Sequence, residues 1–314
     1  MTAAENSIRG VYWVEVSNEF AEQRIDNFLI RELKGVPKSR IYRILRKGEV
    51  RVNKRRVAPN YRLQAGDQVR IPPIKLQQGK PVHAPNQGLR QYLQQRILYE
   101  DESLIVLNKP SGIAVHGGSG LSFGVIETLR AMRSDAQQLE LVHRLDRETS
   151  GCLMICKRRS LLRELHSALR EQKVNKYYLA LLQGELPHRW RENAPLKKNL
   201  LSSGERIVKV NEEGKAALTL FQLVEQYSEC GLAEIQLKSG RTHQIRVHAA
   251  YGGHALAGDE KYGDRKFNSR LKEQGLNRLF LHASRLELPA LEKLQQRVFV
   301  APLDEELVLV LENL

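Results

Sequence analysis

The 314-residue sequence predicts an α+β protein: a largely antiparallel mixed sheet flanked by helices, preceded by a small, strongly basic α/β domain. Three observations lead there. Short apolar strands follow one another at hairpin-length separations and are interrupted by helical segments, the pattern of an α+β body. Lys and Arg concentrate in one early segment. A stretch rich in Gln, Pro and Gly, with no apolar period, separates that segment from the rest.

Residues 1–19 read as an N-terminal extension. From Phe20 to Pro73 there are fourteen Lys and Arg against five Asp and Glu, so this segment carries +9 of the formal +14. A balance this basic points to a polyanion, with nucleic acid ahead of an anionic membrane. Ser39 is the expected cap of a short helix that Gly48 ends. On that helix Arg40, Arg43 and Lys47 recur at helical spacing, with Ile41, Ile44 and Leu45 on the opposite, buried face. "VRVN" and "QVRIP" read as short strands, and "NKRR" (Asn53 to Arg56) as a basic turn presenting Lys54, Arg55 and Arg56. Residues 74–96 read as a linker.

The body, residues 97–314, opens with the buried strand Leu104 to Leu107, closed by a Pro-Ser-Gly turn. "CLMIC" reads as a strand with Cys152, Met154 and Cys156 on one face. "SLLRELHSALREQ" reads as a helix with Leu161, Leu165 and Leu169 on one stripe, and "KYYLALLQG" as a strand. In "LAEIQLKSG" the residues Ala233, Ile235 and Leu237 share a face. The turn at Ser239-Gly240 leads into "RTHQIRVHAAYGG", a helix expected to be capped by Thr242 and stopped at Gly252-Gly253.

Several function classes drop out. No run of about eighteen apolar residues spans a bilayer, and the first twenty residues lack the pattern of a secretion signal, so a cytoplasmic protein is expected. Three cysteines without a CxxC argue against a disulfide framework or a zinc ribbon. No HExxH or Cys/His ligand spacing predicts a metal, and no GxSxG marks a serine nucleophile. The glycine-rich "HGGSGLSFG" (His116 to Gly124) lacks both the Gly-Lys-Ser/Thr ending of a P-loop and the spacing of a dinucleotide fingerprint.

"VHRLDRETSG" (Val142 to Gly151) sets Asp146 between Arg144 and Arg147. Arg246 in "GRTHQIRVH" is a further candidate partner. A carboxylate beside a guanidinium has its pKa lowered by about 1–3 units, which suits a nucleophile and not a general acid. On these residues alone, a structural ion pair without chemistry is the favoured reading.

The basic helix, "GEVRVNKRR" and "LQAGDQVRIP" resemble the S-four domain, a small RNA-binding fold. In that family the helix and turn contact structured RNA through phosphates and shape, as suits a duplex whose major groove is too narrow for side chains. "NKPSG" (Asn108 to Gly112), "HRLDRETSG" (His143 to Gly151), "KYYLA" (Lys176 to Ala180) and "SGRTHQIRVH" (Ser239 to His248) occur in the order and spacing of the RluA-type pseudouridine synthases, which the chain resembles from about Ile97 to Leu303. One departure is "GGHALAGDEKYG", with Ala255-Leu256 where relatives usually have Pro-Ile.

The resemblance implies a pseudouridine synthase fold and isomerisation of selected uridines in large-subunit (23S) ribosomal RNA. The implied chemistry needs no metal and no other cofactor, and a monomer is the default expectation. Asp146 would be catalytic and Arg246 its ion partner. Tyr178 would stack on the uracil and act in proton transfer at C5. Arg144 would take the space of the flipped nucleotide or hold it, because a stacked uridine cannot reach Asp146 without leaving its stack at a cost of a few kcal/mol. Competing readings are a sister enzyme acting on other ribosomal or transfer RNA uridines, and a non-catalytic ribosome-assembly factor that kept the fold.

Overall fold

The computed structural model describes residues 10–33, 36–74, 85–117, 123–133, 139–200, 206–292 and 294–314. The chain divides into two compact units, Met1–His83 and Ala84–Leu314. Residues 118–122 of the glycine-rich loop and 75–84 of the expected linker lie outside the described residues.

In the smaller unit, β1 (Tyr12–Glu15), α1 (Ile25–Glu32), α2 (Lys38–Arg46), β2 (Arg51–Val52) and β3 (Gln68–Ile71) follow in order. The sheet order is β1-β3-β2, both pairings antiparallel. The expected extension over residues 1–19 therefore contributes a strand: Tyr12 to Glu15 pair with Gln68 to Ile71. Its two-residue alternation was too short to stand out as a period. Ile41, Ile44 and Leu45 of α2 are buried with Phe28, Leu29, Val52 and Val69, as their spacing predicts. Ser39 does not cap α2, however, because the helix begins two residues earlier than a Ser39 cap would allow, with Pro37 at the cap position. Pro37 leaves no side-chain cap but pre-sets the backbone for helix entry.

Asn53 and Lys54 both have positive φ, 49° and 67°, in a turn closed by reciprocal backbone bonds between Val52 and Arg55. That is the twist of a tight hairpin turn. It leaves Lys54, Arg55 and Arg56 exposed, as are Arg43 and Lys47, whereas Arg40 is half-buried.

The larger unit begins with α3 (Gln87–Gln95), which lies inside the stretch read as linker. Its cap is Asn86, whose side chain accepts from Leu89 N at 2.7 Å, and Leu93 is fully buried. The Gln-rich composition hid a stripe carried by Leu89 and Leu93 alone. There follow β4 (Ile97–Glu100), β5 (Leu104–Lys109), α4 (Val125–Met132), β6 (Glu140–Leu141), β7 (Ser150–Cys156), α5 (Arg159–Arg170), β8 (Asn175–Gln183), β9 (Arg189–Glu192), β10 (Leu196–Leu200), β11 (Arg206–Val210), β12 (Thr219–Gln226), β13 (Cys230–Leu237), α6 (Gln244–Tyr251), α7 (Arg265–Glu273), β14 (Leu281–Glu287), β15 (Val298–Val300) and α8 (Glu305–Glu312).

The main sheet runs β4-β5-β7-β14-β8-β13-β12-β9, with β6 on β7 and β15 on β14, while β10 and β11 form a separate ribbon. Of its described pairings only β7 with β14 is parallel, so the sheet is mixed and largely antiparallel. At that junction Gly151 has φ +105°, and a Cβ there would fall 2.3 Å from Ala283 O, so glycine lets the two strands meet. β7 is buried on both faces. Cys152, Met154 and Cys156 pack with Leu161 and Leu165 of α5, while Leu153 and Ile155 pack with the cluster that holds Tyr178. The alternation of "CLMIC" thus places the loop ending at Ser150 on the rim of a doubly covered strand.

Candidate active site

Asp146 sits in the loop between β6 and β7, and three contacts from the "NKPSG" turn pin that loop. Gly112 N donates to Arg147 O at 2.9 Å, Ser111 Oγ to Glu148 O at 2.7 Å, and Arg147 Nε returns a bond to Gly112 O at 2.9 Å. Beneath them the fully buried Lys109 donates Nζ to the carbonyls of Pro110, Ile113 and Arg147 at 2.7, 2.9 and 3.1 Å. Burial, and then the Arg278 charge, pushes this ammonium down to about 7. Arg147 is therefore committed to the turn and does not partner Asp146.

The Asp146 carboxylate, about a quarter exposed, faces a cavity of about 380 Å³, within the size range of small-molecule sites. Tyr178 from β8 lines it, as do Arg144, Arg170, Lys176, Arg241, His143, His243 and Arg246. Asp146 is the sole carboxylate in that lining, against five Arg and Lys side chains. Tyr178 is 8% exposed, and burial followed by the Asp146 charge drives its phenol well above the ordinary value, so it stays protonated. Tyr177, its neighbour, points to the other face of the sheet beneath the Arg285 guanidinium, 4.0 Å from the ring centroid. His143 accepts from Met154 N at 3.2 Å. Burial, with Lys176 next, pushes it down to about 4, so it is neutral.

Arg246 reaches the same cavity from α6, but its ion partner is Asp259. Nε donates to Asp259 Oδ2 at 2.7 Å and Nη2 to Asp259 Oδ1 at 2.6 Å. This corrects the expected Arg246–Asp146 pair. The Asp146 charge still raises Arg246, after burial, which lowers it, and the Asp259 contacts. His243 is in ion-pair reach of Asp146, with Nε2 3.9 Å from Oδ2. Thr242 is not the cap of α6: His243 takes that position in the left-handed region, φ 51°, with no side-chain cap bond. Among the described residues no group of His, Cys, Asp and Glu could hold a metal ion, and no helix is long and apolar enough to cross a membrane.

A family model described as RNA pseudouridylate synthase matches residues 103–251, and an S4 domain model matches 23–69. The ribosomal large subunit pseudouridine synthase C of Haemophilus ducreyi is 51% identical over 100% of this chain and 99% of that protein. That of Escherichia coli strain K12 is 54% identical over 96% of each. This chain belongs to the RNA pseudouridylate synthase family. The solved structure of human RNA pseudouridylate synthase domain containing 4 superposes with a TM-score of 0.60 at 28% identity, over 72% of this chain and 95% of that one.

In this pseudouridylate synthase the four sequence motifs converge on one cavity: "HRLD", "KYYLA" and "RTHQIR" supply lining residues, and "NKPSG" braces the Asp146 loop from below. Sequence reasoning missed Lys109, Lys176, His243, Asp259 and Tyr262. Lys109, Lys176 and His243 lay inside quoted motifs, so their position was visible and only their direction was not. Asp259 and Tyr262 lie in "GDEKYG", where the signal was an acid following the Gly258 turn; its backbone acceptance from Lys261 N and Tyr262 N is a tertiary feature.

Proposed function

We propose that this enzyme isomerises uridines of large-subunit ribosomal RNA to pseudouridine, with Asp146 as the catalytic group. The observation that carries the reading is the single carboxylate beside a buried tyrosine in an otherwise cationic cavity. A carboxylate there can act on the ribose or base, while the surrounding cations receive the phosphates of the strand that delivers the uridine. The overall change breaks N1–C1′, forms C5–C1′, and moves one hydrogen from C5 to N1, so atoms balance and no oxidant is consumed. The names of the relatives in H. ducreyi and E. coli support the large ribosomal subunit as source of the substrate.

Arg144 is exposed at the cavity, where it suits the task of holding a uridine that has left its stack. Tyr178 offers the base a flat, neutral face and a protonated hydroxyl. Arg246, locked by Asp259, supplies positive charge without neutralising Asp146 directly. Residues 20–73 dock structured RNA through Arg43, Lys47, Lys54, Arg55 and Arg56, with Arg40 set back by its own packing. The reading takes the enzyme as a monomer acting in the cytoplasm.

The test is tritium release from 23S ribosomal RNA transcribed with 5-tritiated uridine. Wild-type protein is expected to release tritium and Asp146→Asn to release none; release by the variant would sink the assignment. Mapping pseudouridines in cells lacking the protein then identifies the sites, and losses confined to transfer RNA would overturn the substrate class.

A further inference from the structure

We propose that His243 is a positioning residue for Asp146, its Nε2–H aimed at the carboxylate by the Tyr262 hydroxyl bound at Nδ1. The inference rests on the reading of Asp146 as the catalytic group. Among the described residues five non-glycine positions have positive φ, and of these only His243 lines the cavity. Its φ of 51° is a conformation that most side chains avoid and that persists where surrounding structure imposes it, often at functional sites.

The surroundings favour one tautomer. Val208 N donates to Tyr262 Oη at 3.0 Å, and the same oxygen lies 2.8 Å from His243 Nδ1. With that backbone donor on one lone pair, we assign the hydroxyl proton to Nδ1, and a neutral imidazole then carries its proton on Nε2. That nitrogen is the one 3.9 Å from Asp146 Oδ2, an approach of the kind that shortens when substrate completes a site. Tyr262 is itself held. Arg246 stands 5.0 Å over its ring, and Asp259 clamps Arg246. Burial, opposed by Asp146 and reinforced by Arg246 and Lys261, lowers the His243 pKa, while Asp259 raises it; the net shift keeps the ring neutral. A neutral donor on one carboxylate oxygen leaves the other for the uridine and does not add a full charge that would blunt it.

The test compares two substitutions in the full chain. His243→Asn tolerates the left-handed backbone and places its amide near Nδ1, so it keeps the Tyr262 contact and loses the Nε2 donor. His243→Gln places its amide near Nε2. Single-turnover tritium release from 23S RNA is expected to fall roughly 10- to 100-fold in His243→Asn, the loss of one hydrogen bond to a charged group. It should fall less in His243→Gln than in His243→Asn, with RNA affinity changing less than the rate in both. Nitrogen-15 NMR of the histidines should find the His243 proton on Nε2, and its pKa should drop in Asp146→Asn. Wild-type rates in His243→Asn, equal losses in both variants, or a proton on Nδ1 would each overturn the proposal. If Asp146→Asn is inactive while His243→Asn is fully active, only the His243 role fails; an active Asp146→Asn removes the reading beneath it.

Discussion

Arg246 and Asp259 form a two-pronged ion pair, 2.7 and 2.6 Å, in which Asp259 is 1% exposed. Burial alone would raise the Asp259 carboxyl, but the Arg246 hydrogen bonds and charge hold it below the usual range. The backbone N–H groups of Lys261 and Tyr262 satisfy Oδ1 further. A guanidinium anchored this way stands in the wall of the cavity that Asp146 lines and is held by Asp259.

Asp259→Asn would strand the Arg246 charge. Removing one member of a buried pair costs about 3–5 kcal/mol, so urea denaturation should show a loss of that order. Arg246→Lys keeps the charge and loses the fork. It should fold and bind RNA while single-turnover tritium release falls. Near-wild-type release by Arg246→Lys would show that the two-pronged geometry is unnecessary.

Lys109 makes a pH prediction. Its folded pKa is about 7, whereas an unfolded lysine titrates near about 10.4. Between these values the unfolded chain holds a proton that the folded chain has lost, so stability gains as pH rises through this window and the penalty is complete below it. The urea midpoint of wild type relative to Lys109→Met should therefore rise from pH 6.5 to pH 9. The opposite slope would show that the three carbonyl acceptors hold the ammonium against burial.

The strands and helices that position the site were legible because their faces repeat. "CLMIC" alternates, and Ile41, Ile44 and Leu45 follow a helical turn. Asp146, Tyr178 and Arg246 were legible as residues, and all three line one cavity. Their pairings were not, since partner choice depends on direction: Asp259, thirteen positions beyond Arg246, competes successfully with Asp146, a hundred positions before it. The α6 cap failed for a related reason. Thr242 has the right side chain, but the backbone enters the helix through a left-handed His243, which no propensity favours. Helix α3 was hidden by composition, as Leu93 buries fully among glutamines.

Tyr178 offers a test that separates stacking from proton transfer. Its hydroxyl remains protonated beside the Asp146 charge, so it can relay a proton near the reacting base. Tyr178→Phe keeps the flat face; RNA affinity should be unchanged while turnover drops by roughly 100-fold, the lower end of general acid–base contributions. Full turnover by Tyr178→Phe would reduce the residue to a platform.

The basic face of the smaller unit makes a prediction that separates phosphate contacts from mere charge. Arg43, Lys47 and Arg55 are exposed, on α2 and on the turn that follows β2, whereas the Arg40 Nε is buried and without a partner. Each phosphate contact releases condensed counterions, so each one lost should flatten the slope of log affinity against log salt by roughly 0.7–0.9. Arg43→Ala, Lys47→Ala and Arg55→Ala should each approach that decrement. Arg40→Ala should change the slope less, because a half-buried guanidinium is kept from the phosphates by its own packing. All four should leave tritium release at saturating RNA unchanged, since none lines the Asp146 cavity. An equal decrement in all four variants would mean that Arg40 reaches a phosphate despite its packing, and no decrement in any of them would move the RNA-docking role to another face.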